Sequence, residues 1–184
     1  FPPVDRHGMP AFPRVLEAIA RAYRERPGDV ADAVAKLIDG VERAESLTAT
    51  DGALDPSLPR RAAEALLDHV DRHQGGLGDA PKFPHSRVFQ LLLRQWRATG
   101  NQALLDVVDL TCRRMADGGI YDQIGFGFHR YSTDREWLVP HFEKMLYDQA
   151  LHVLAYTAAW QVTGKAEYRA TAEEVLEYCL RDLA

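Results

Sequence analysis

From Pro13 to Glu25 the apolar residues Val15, Leu16, Ile19, Ala20 and Tyr23 recur at helical spacing, and Pro27-Gly28 then breaks the pattern. A second helical pattern runs from Asp29 to about Leu47 through Val30, Val34, Leu37, Ile38 and Val41. Thr48 to Pro59, rich in Asp, Gly and Pro, reads as a linker. Beyond it two kinds of helix alternate. Between Pro56 and His73, Leu58, Ala62, Ala65, Leu66, His69 and Val70 form one stripe with Arg60, Glu64, Asp68 and Asp71 opposite, which predicts a helix with one wet face. Ser86 to Ala98 is apolar around most of its circumference, as a helix enclosed on several sides requires. Asn101 to Asp117 is amphipathic again, His141 to Thr163 enclosed again and Ala166 to Leu183 amphipathic once more, with no competing strand signal.

The alternation rests on a sequence repeat. Trp96-x-x-Thr99-Gly100 recurs as Trp160-x-x-Thr163-Gly164, each time ending an enclosed helix and opening an amphipathic one. Leu104 then matches Tyr168, Val108 matches Ala172 and Met115 matches Cys179. Such helix pairs stack because each covers a face its neighbour cannot bury alone. Gly75-Gly76 and Gly118-Gly119 each read as closing an amphipathic helix, and so as opening equivalent loops on one rim of the array. The expected fold is all-α, an array of antiparallel helical hairpins.

Composition narrows function mainly by exclusion. Hydrophobic residues at 46% and charged residues at 27% suit a soluble globular chain, and a net charge of −5 without a block of like charge argues against nucleic acid as a partner. No apolar run approaches the roughly 20 residues of a membrane span, so the cytosol is expected. Cys112 and Cys179 lack CxxC spacing and fall on apolar stripes, as buried free thiols do.

The chemistry gathers in the two rim loops. The first, Gly75 to His85, holds Asp79, Lys82, Phe83 and His85. The second, Gly118 to about Pro140, exceeds the roughly 12 to 15 residues beyond which a loop in a compact domain is usually functional or disordered. Its Ile120, Tyr121, Ile124, Phe126, Phe128, Tyr131, Trp137 and Leu138 favour order. Asp122, His129, Arg130, Asp134 and Glu136, followed by His141, Glu143, Lys144, Tyr147 and Asp148, are of catalytic type. On a continuous helix His141, Lys144, Asp148 and His152 share a face apart from Phe142, Met145, Gln149, Val153 and Trp160, and a polar stripe on an enclosed helix calls for a cavity.

Each residue also has a structural reading. His141 after Pro140 can cap the helix, and His129 can be a packed hydrogen-bonding residue. Asp122, Asp134 and Glu143 can pair with Arg130, Arg135 and Lys144 to lock the loop, while Trp137, Tyr121 and Tyr131 can be core. There is no HExxH or Cys/His metal spacing, and Gly125-Phe126-Gly127 lacks the preceding strand of a dinucleotide loop, so neither metal nor cofactor is expected.

The segments GGLGDAPKFP, GGIYDQIGFGFHRYS and WLVPHFEKMLYDQA together resemble the bacterial YyaL-like family, related to spermatogenesis-associated thioredoxin-domain proteins. The resemblance implies a thioredoxin-like domain followed by an (α/α)6 toroid similar to N-acylglucosamine 2-epimerases and six-hairpin glycosidases. Residues 1–27 would then be the C-terminal remnant of the thioredoxin-like domain, 28–55 a connecting helix and linker, and 56–184 the first part of the toroid. A CxxC segment would precede residue 1, and the chain, opening on Phe1-Pro2-Pro3, would be a middle fragment. The family usually has glycine where Phe126 stands and asparagine where Gln149 stands; Phe126 is expected to narrow the loop and Gln149 to point to the apolar side.

Fold analogy does not supply a function. The expectation drawn from it is a sugar-type small-molecule site on the rim, epimerase-like or hydrolase-like in the full-length protein. His129 and His141 would be the acid–base groups, in keeping with imidazole's near-neutral pKa, with Asp122 and Asp134 orienting them. Tyr121 and Trp137 would stack on the ligand, and Asp79, Lys82, Arg130, Lys144 and Asp148 would bind it. The alternative is a non-catalytic toroid presenting partners to a thioredoxin-like redox domain. An open array would also expose apolar faces, inviting self-association or a second chain.

Overall fold

A computed structural model describes residues 1–45 and 53–184, and the chain divides into two compact units, 1–53 and 54–184. The expected linker and the end of the second helix lie partly outside the described residues. In the first unit α1 (Phe12–Glu25) and α2 (Pro27–Glu45) form where periodicity places them. Pro13 sits in the first turn of α1, where a missing N–H loses no helical bond. Neither helix buries a residue: Leu16, Ile19 and Tyr23 on α1 and Leu37, Ile38 and Val41 on α2 remain exposed.

The second unit is a helical array: α3 (Leu58–Leu67), α4 (Ser86–Thr99), α5 (Gln102–Asp117), α6 (Leu146–Thr163) and α7 (Ala166–Tyr178), which runs on into a wide turn over Cys179–Leu183. The repeated Thr-Gly pairs are the hairpin turns. Gly100 and Gly164 adopt the left-handed conformation at φ 70° and 72°, and each donates its N–H to the carbonyl of Trp96 or Trp160 at 2.7 Å. Thr99 and Thr163 donate back to Gln95 and Ala159 and accept from the residue beyond the glycine. Between the hairpins lies a core in which Leu92, Val108, Cys112, Met115, Ile120, Tyr156 and Val175 are inaccessible, each large side chain contributing about 1.5–3 kcal/mol by burial. Among the described residues no helix is long and apolar enough to cross a membrane.

Two sequence expectations about helix limits are corrected. The helix expected over His141 to Thr163 starts only at Leu146, because Pro140–His141 pair antiparallel with Tyr131–Ser132 as two short strands. Arg130 N–H also takes the Glu143 carbonyl at 2.7 Å. His141 and Lys144 therefore do not share a helix face with Asp148 and His152, and a small strand pair exists where none was expected. The helix expected to reach His73 ends at Leu67: Asp71 Oδ1 accepts the N–H groups of His73 and Gln74 at 3.0 Å, a local turn that competes with helical bonding.

That turn identifies the true repeat between the rim loops. Asp122 Oδ1 likewise accepts from Ile124 and Gly125, at 3.0 and 2.8 Å. The N–H of Asp71 bonds the Gly76 carbonyl, as that of Asp122 bonds the Gly127 carbonyl, each at 3.0 Å. Val70 pairs with Leu77 as Tyr121 pairs with Phe128. Gly76 and Gly127 both have positive φ, and a Cβ would fall 2.5 Å from the Trp137 ring or 2.6 Å from the Tyr178 ring. The structural counterpart of Gly75-Gly76 is thus Phe126-Gly127, not Gly118-Gly119. Only the latter pair closes a helix.

The two loops are sewn together. Lys82 exchanges two backbone bonds with Ser132, at 2.8 and 2.9 Å, and its ammonium donates to Asp71 Oδ2 at 2.9 Å and to the Arg135 carbonyl at 3.1 Å. The Arg135 guanidinium donates to the same carboxylate oxygen at 2.6 Å, and the Trp137 indole N–H bonds the Gln74 carbonyl at 2.8 Å. Lys82 and Asp71 are 0% and 1% exposed. Arg135 above all, then Lys82 and the turn N–H groups, hold the Asp71 carboxyl well below the usual carboxylate range. Its contribution is therefore complete above the ordinary value of about 3.9 and is lost as pH falls toward the folded value. Asp71→Ala, which strands the Lys82 charge, is expected to lower stability by about 3–5 kcal/mol in urea unfolding of the chain near neutral pH and to flatten the acid limb below about pH 4.

Candidate functional site

The residues expected to carry chemistry fall into two groups. One group is engaged within the protein. Asp122 gives its second oxygen to Lys144 Nζ at 2.6 Å, and Lys144 also donates to the Phe126 carbonyl and lies over the Tyr178 ring. Lys144 first, helped by the turn N–H groups, pulls the Asp122 carboxyl far down. Asp134 accepts from the Ser132 hydroxyl and from the N–H groups of Glu136, Leu138 and Val139; burial opposes its ionisation, but these bonds keep its pKa low. The buried Tyr121 donates its hydroxyl to Glu174, and Trp137 is inaccessible. Lys82 is the buried cation described above, and Asp79, largely exposed, lies 3.4 Å from Arg135. His141 stacks on Tyr131 at 4.9 Å, is about half exposed and lies 3.7 Å from Glu143. His129 is buried edge-on to Phe142, with no partner for Nδ1. Burial first, then the Lys144 charge, lowers its pKa.

The second group meets at a cavity of about 250 Å³ where the first turns of α4 and α6 face each other. Phe83, Pro84 and the stretch His85 to Val88 form one wall; Asp148, Leu151 and His152 form the other; Arg130 reaches in from the long loop. Of the residues singled out by sequence, Arg130 and Asp148 line this cavity, as do Phe83 and His85 of the first rim loop, and His129 and His141 do not. In the sequence His152 falls on the polar stripe without a role of its own, and Ser86 and Arg87 carry no signal beyond their place at the start of a mostly apolar helix. The signal that could have found them is that two enclosed, parallel helices bring their first turns to one rim.

His152 is held by two contacts. Its ring stacks on Phe128 at 4.3 Å and 9°, and Nδ1 lies 2.6 Å from the Asp148 carbonyl. A carbonyl only accepts, so Nδ1 carries the proton and Nε2 presents its lone pair. That Nε2 is buried without a partner. Phe128 is itself clamped: Gln149, fully buried, accepts the Phe128 N–H at 2.8 Å and donates to its carbonyl at 2.7 Å. Asp148 Oδ2 is likewise buried and unpartnered, and burial raises this carboxyl's pKa, with Arg130 opposing. Among the described residues no group of His, Cys, Asp and Glu could hold a metal ion.

Burial lowers the His152 pKa to about 4, against a backbone bond that favours the charged form. The folded imidazole thus stays neutral where the unfolded one, near 6.5, takes up a proton. Its contribution to stability is full above about pH 6.5 and declines as pH falls through the window down to about 4. Imidazole ¹⁵N shifts are expected to show the Nδ1–H tautomer for His152 with no titration between about pH 6 and 8; a midpoint near 6.5 would contradict this environment.

No family model matches the chain. Over 100% of its length it is 36% identical to spermatogenesis-associated protein 20 of Homo sapiens and 34% identical to that of Rattus norvegicus, and it spans 24% of the length of each. Cellobiose 2-epimerase from Spirochaeta thermophila is similar in structure, with a TM-score of 0.54 and 20% identity over 67% of this chain and 36% of that one. At that identity the likeness establishes the fold alone: the helical array is part of an (α/α)6 toroid. Aligned along its whole length with proteins about four times as long, the chain belongs to the family of spermatogenesis-associated protein 20.

Proposed function

We propose that the cavity between the first turns of α4 and α6 binds a small, hydroxyl-rich ligand of carbohydrate type, and that Asp148 and His152 act on its hydroxyl groups. The observation that carries this reading is the pair of buried polar atoms, Asp148 Oδ2 and His152 Nε2, left without protein partners on residues that line one cavity. An unpaired buried polar group costs about 1–3 kcal/mol, which a ligand hydroxyl bonded to it would remove. The cavity lies below the roughly 300–1,000 Å³ of pockets for drug-sized ligands, so the ligand is small. Phe83, Pro84 and Leu151 supply apolar surface for the C–H faces of a sugar ring.

The two environments push proton affinities in opposite directions. The carboxyl of Asp148 becomes a weaker acid, and the His152 imidazole stays in its basic form. Such a pairing suits proton transfer at a hydroxyl or at the adjoining carbon, the step shared by isomerising and hydrolysing enzymes of sugars. His129, whose buried Nδ1 is also unpartnered, lies outside the lining of this cavity and takes no acid–base place in this reading. Asp122, Asp134, Lys82, Lys144, Tyr121 and Trp137 serve by holding the loop that delivers Arg130, and His141 has no part. The resemblance assigns residues 1–27 to a thioredoxin-like domain. The bare stripe of Leu16, Ile19 and Tyr23 on α1 supports this, since a one-sided apolar face calls for a covering neighbour.

Titration of the chain with glucose or N-acetylglucosamine, followed by amide NMR shifts, is expected to move Phe83 to Val88 and Asp148 to His152 with dissociation constants of order 1 mM. Asp148→Asn and His152→Ala are expected to weaken binding about tenfold each, the loss of one hydrogen bond to a buried group. Shifts confined to other residues would overturn the site. Loss of binding in His141→Ala with retention in His152→Ala would return the acid–base role to the loop.

A further inference from the structure

We infer that the ligand of this cavity carries an anionic group, a carboxylate or a phosphate, seated on the N-terminus of α4. The inference rests on the carbohydrate reading above and narrows its substrate class. α4 is a helix of 14 residues whose first N–H groups need acceptors. Its N-cap is His85, in the left-handed conformation at φ 50°, with no side-chain cap bond, where Ser, Thr, Asp or Asn ordinarily supplies one. Val88 N–H turns to the His85 carbonyl at 2.8 Å, while the N–H groups of Ser86 and Arg87 meet no acceptor among the described residues. Ser86 is buried, lines the cavity, and its hydroxyl has no partner among the described residues. The Arg87 guanidinium, beside it on the same wall, forms no ion pair or hydrogen bond among the described residues.

Across the cavity Arg130 adds a second guanidinium, shared with Glu143 at 3.1 Å. Donors and positive ends thus converge from two sides on a space the protein leaves uncapped, the arrangement by which helix N-termini hold anions. A helix start alone would not specify a ligand. The independent sign is His152, 1% exposed, a cavity-lining residue of the opposite wall whose Nε2 has no partner among the described residues and offers its lone pair to a donor. The one acid on the lining is Asp148, and it stands on α6 with His152, on the wall facing the α4 terminus. The cavity is therefore divided: an anion seat at Ser86 and Arg87, a hydroxyl seat at Asp148 and His152. An acidic sugar, with its carboxylate or phosphate a few bonds from its hydroxyls, matches both.

The test compares D-glucose, D-glucuronate, D-glucose 6-phosphate and inorganic phosphate as ligands of the 184-residue chain at low ionic strength, by calorimetry and amide shifts. Glucuronate or glucose 6-phosphate is expected to bind at least about tenfold tighter than glucose, and whichever does identifies the group. Arg87→Gln and Arg87→Glu, at an exposed position, are expected to abolish the preference for the acidic sugar over glucose, each variant being compared on both ligands. Equal binding of glucose and both acidic sugars overturns the anion seat and leaves the carbohydrate site standing. Phosphate binding that Arg87→Glu abolishes, with no sugar bound, keeps the anion seat and overturns the carbohydrate reading. Absence of binding by all four overturns both.

Discussion

Everything at the rim depends on one charge taken out of water. Lys82 is wholly buried, and an ion in that position costs several kcal/mol unless its partners are complete. They are supplied by Asp71 from the turn after α3 and by the Arg135 carbonyl from the long loop, with Trp137 beneath the ammonium at 5.1 Å. The carboxylate in turn recruits the Arg135 guanidinium and two N–H groups of its own turn. None of these groups can leave without stranding another, so the first loop, the second loop and the end of α3 are ordered together. The long loop offsets its entropy cost by burying Ile120, Phe128 and Trp137, while the polar network fixes the one arrangement that satisfies its charges.

The same device appears twice and serves different ends. In the second copy Asp122 and Lys144 replace Asp71 and Lys82, but the pair is only partly buried and its lysine leans on Tyr178 from the end of α7. There the turn delivers Phe128, which Gln149 clamps and which fixes the plane of His152. Phe126 occupies the position of Gly75 and shares its left-handed conformation, at φ 63° against 70°, a strain of order 1–2 kcal/mol for a residue with a side chain. Its ring packs against the core, which offsets that strain. Gly75 itself has no such latitude, because a Cβ there would lie 2.7 Å from Thr111.

Both enclosed helices begin at this rim, and they begin differently. α4 starts from a left-handed histidine with its first N–H groups open, whereas α6 starts with an acid, Asp148, in its first turn. Facing one another, an open donor end and an acid–imidazole pair place a few polar groups in a mostly apolar cavity. The loops contribute order and one guanidinium, and the helix ends contribute the other polar groups of the lining.

The array of hairpins was legible in the sequence because it follows from short-range physics. Apolar residues at helical spacing, and Thr-Gly pairs that only a left-handed turn accommodates, act within a few residues of one another. The Trp96 and Trp160 repeat placed both hairpin turns correctly for that reason. The site was less legible. Asp122 and Asp134 look catalytic in a linear reading, yet their oxygens are spent on nearby N–H groups and Lys144, while Asp71, on the wet stripe of α3's expected extension, is the buried hub. The start of α6 and the equivalence of the rim loops depended on strand pairing and on partners far along the chain, such as Lys82 with Ser132. By itself the sequence determined the order of the helices and the hairpin turns that join them. Which polar groups are left unpartnered at a cavity was decided only by tertiary structure, because a polar atom's satisfaction depends on donors and acceptors that folding brings in from elsewhere.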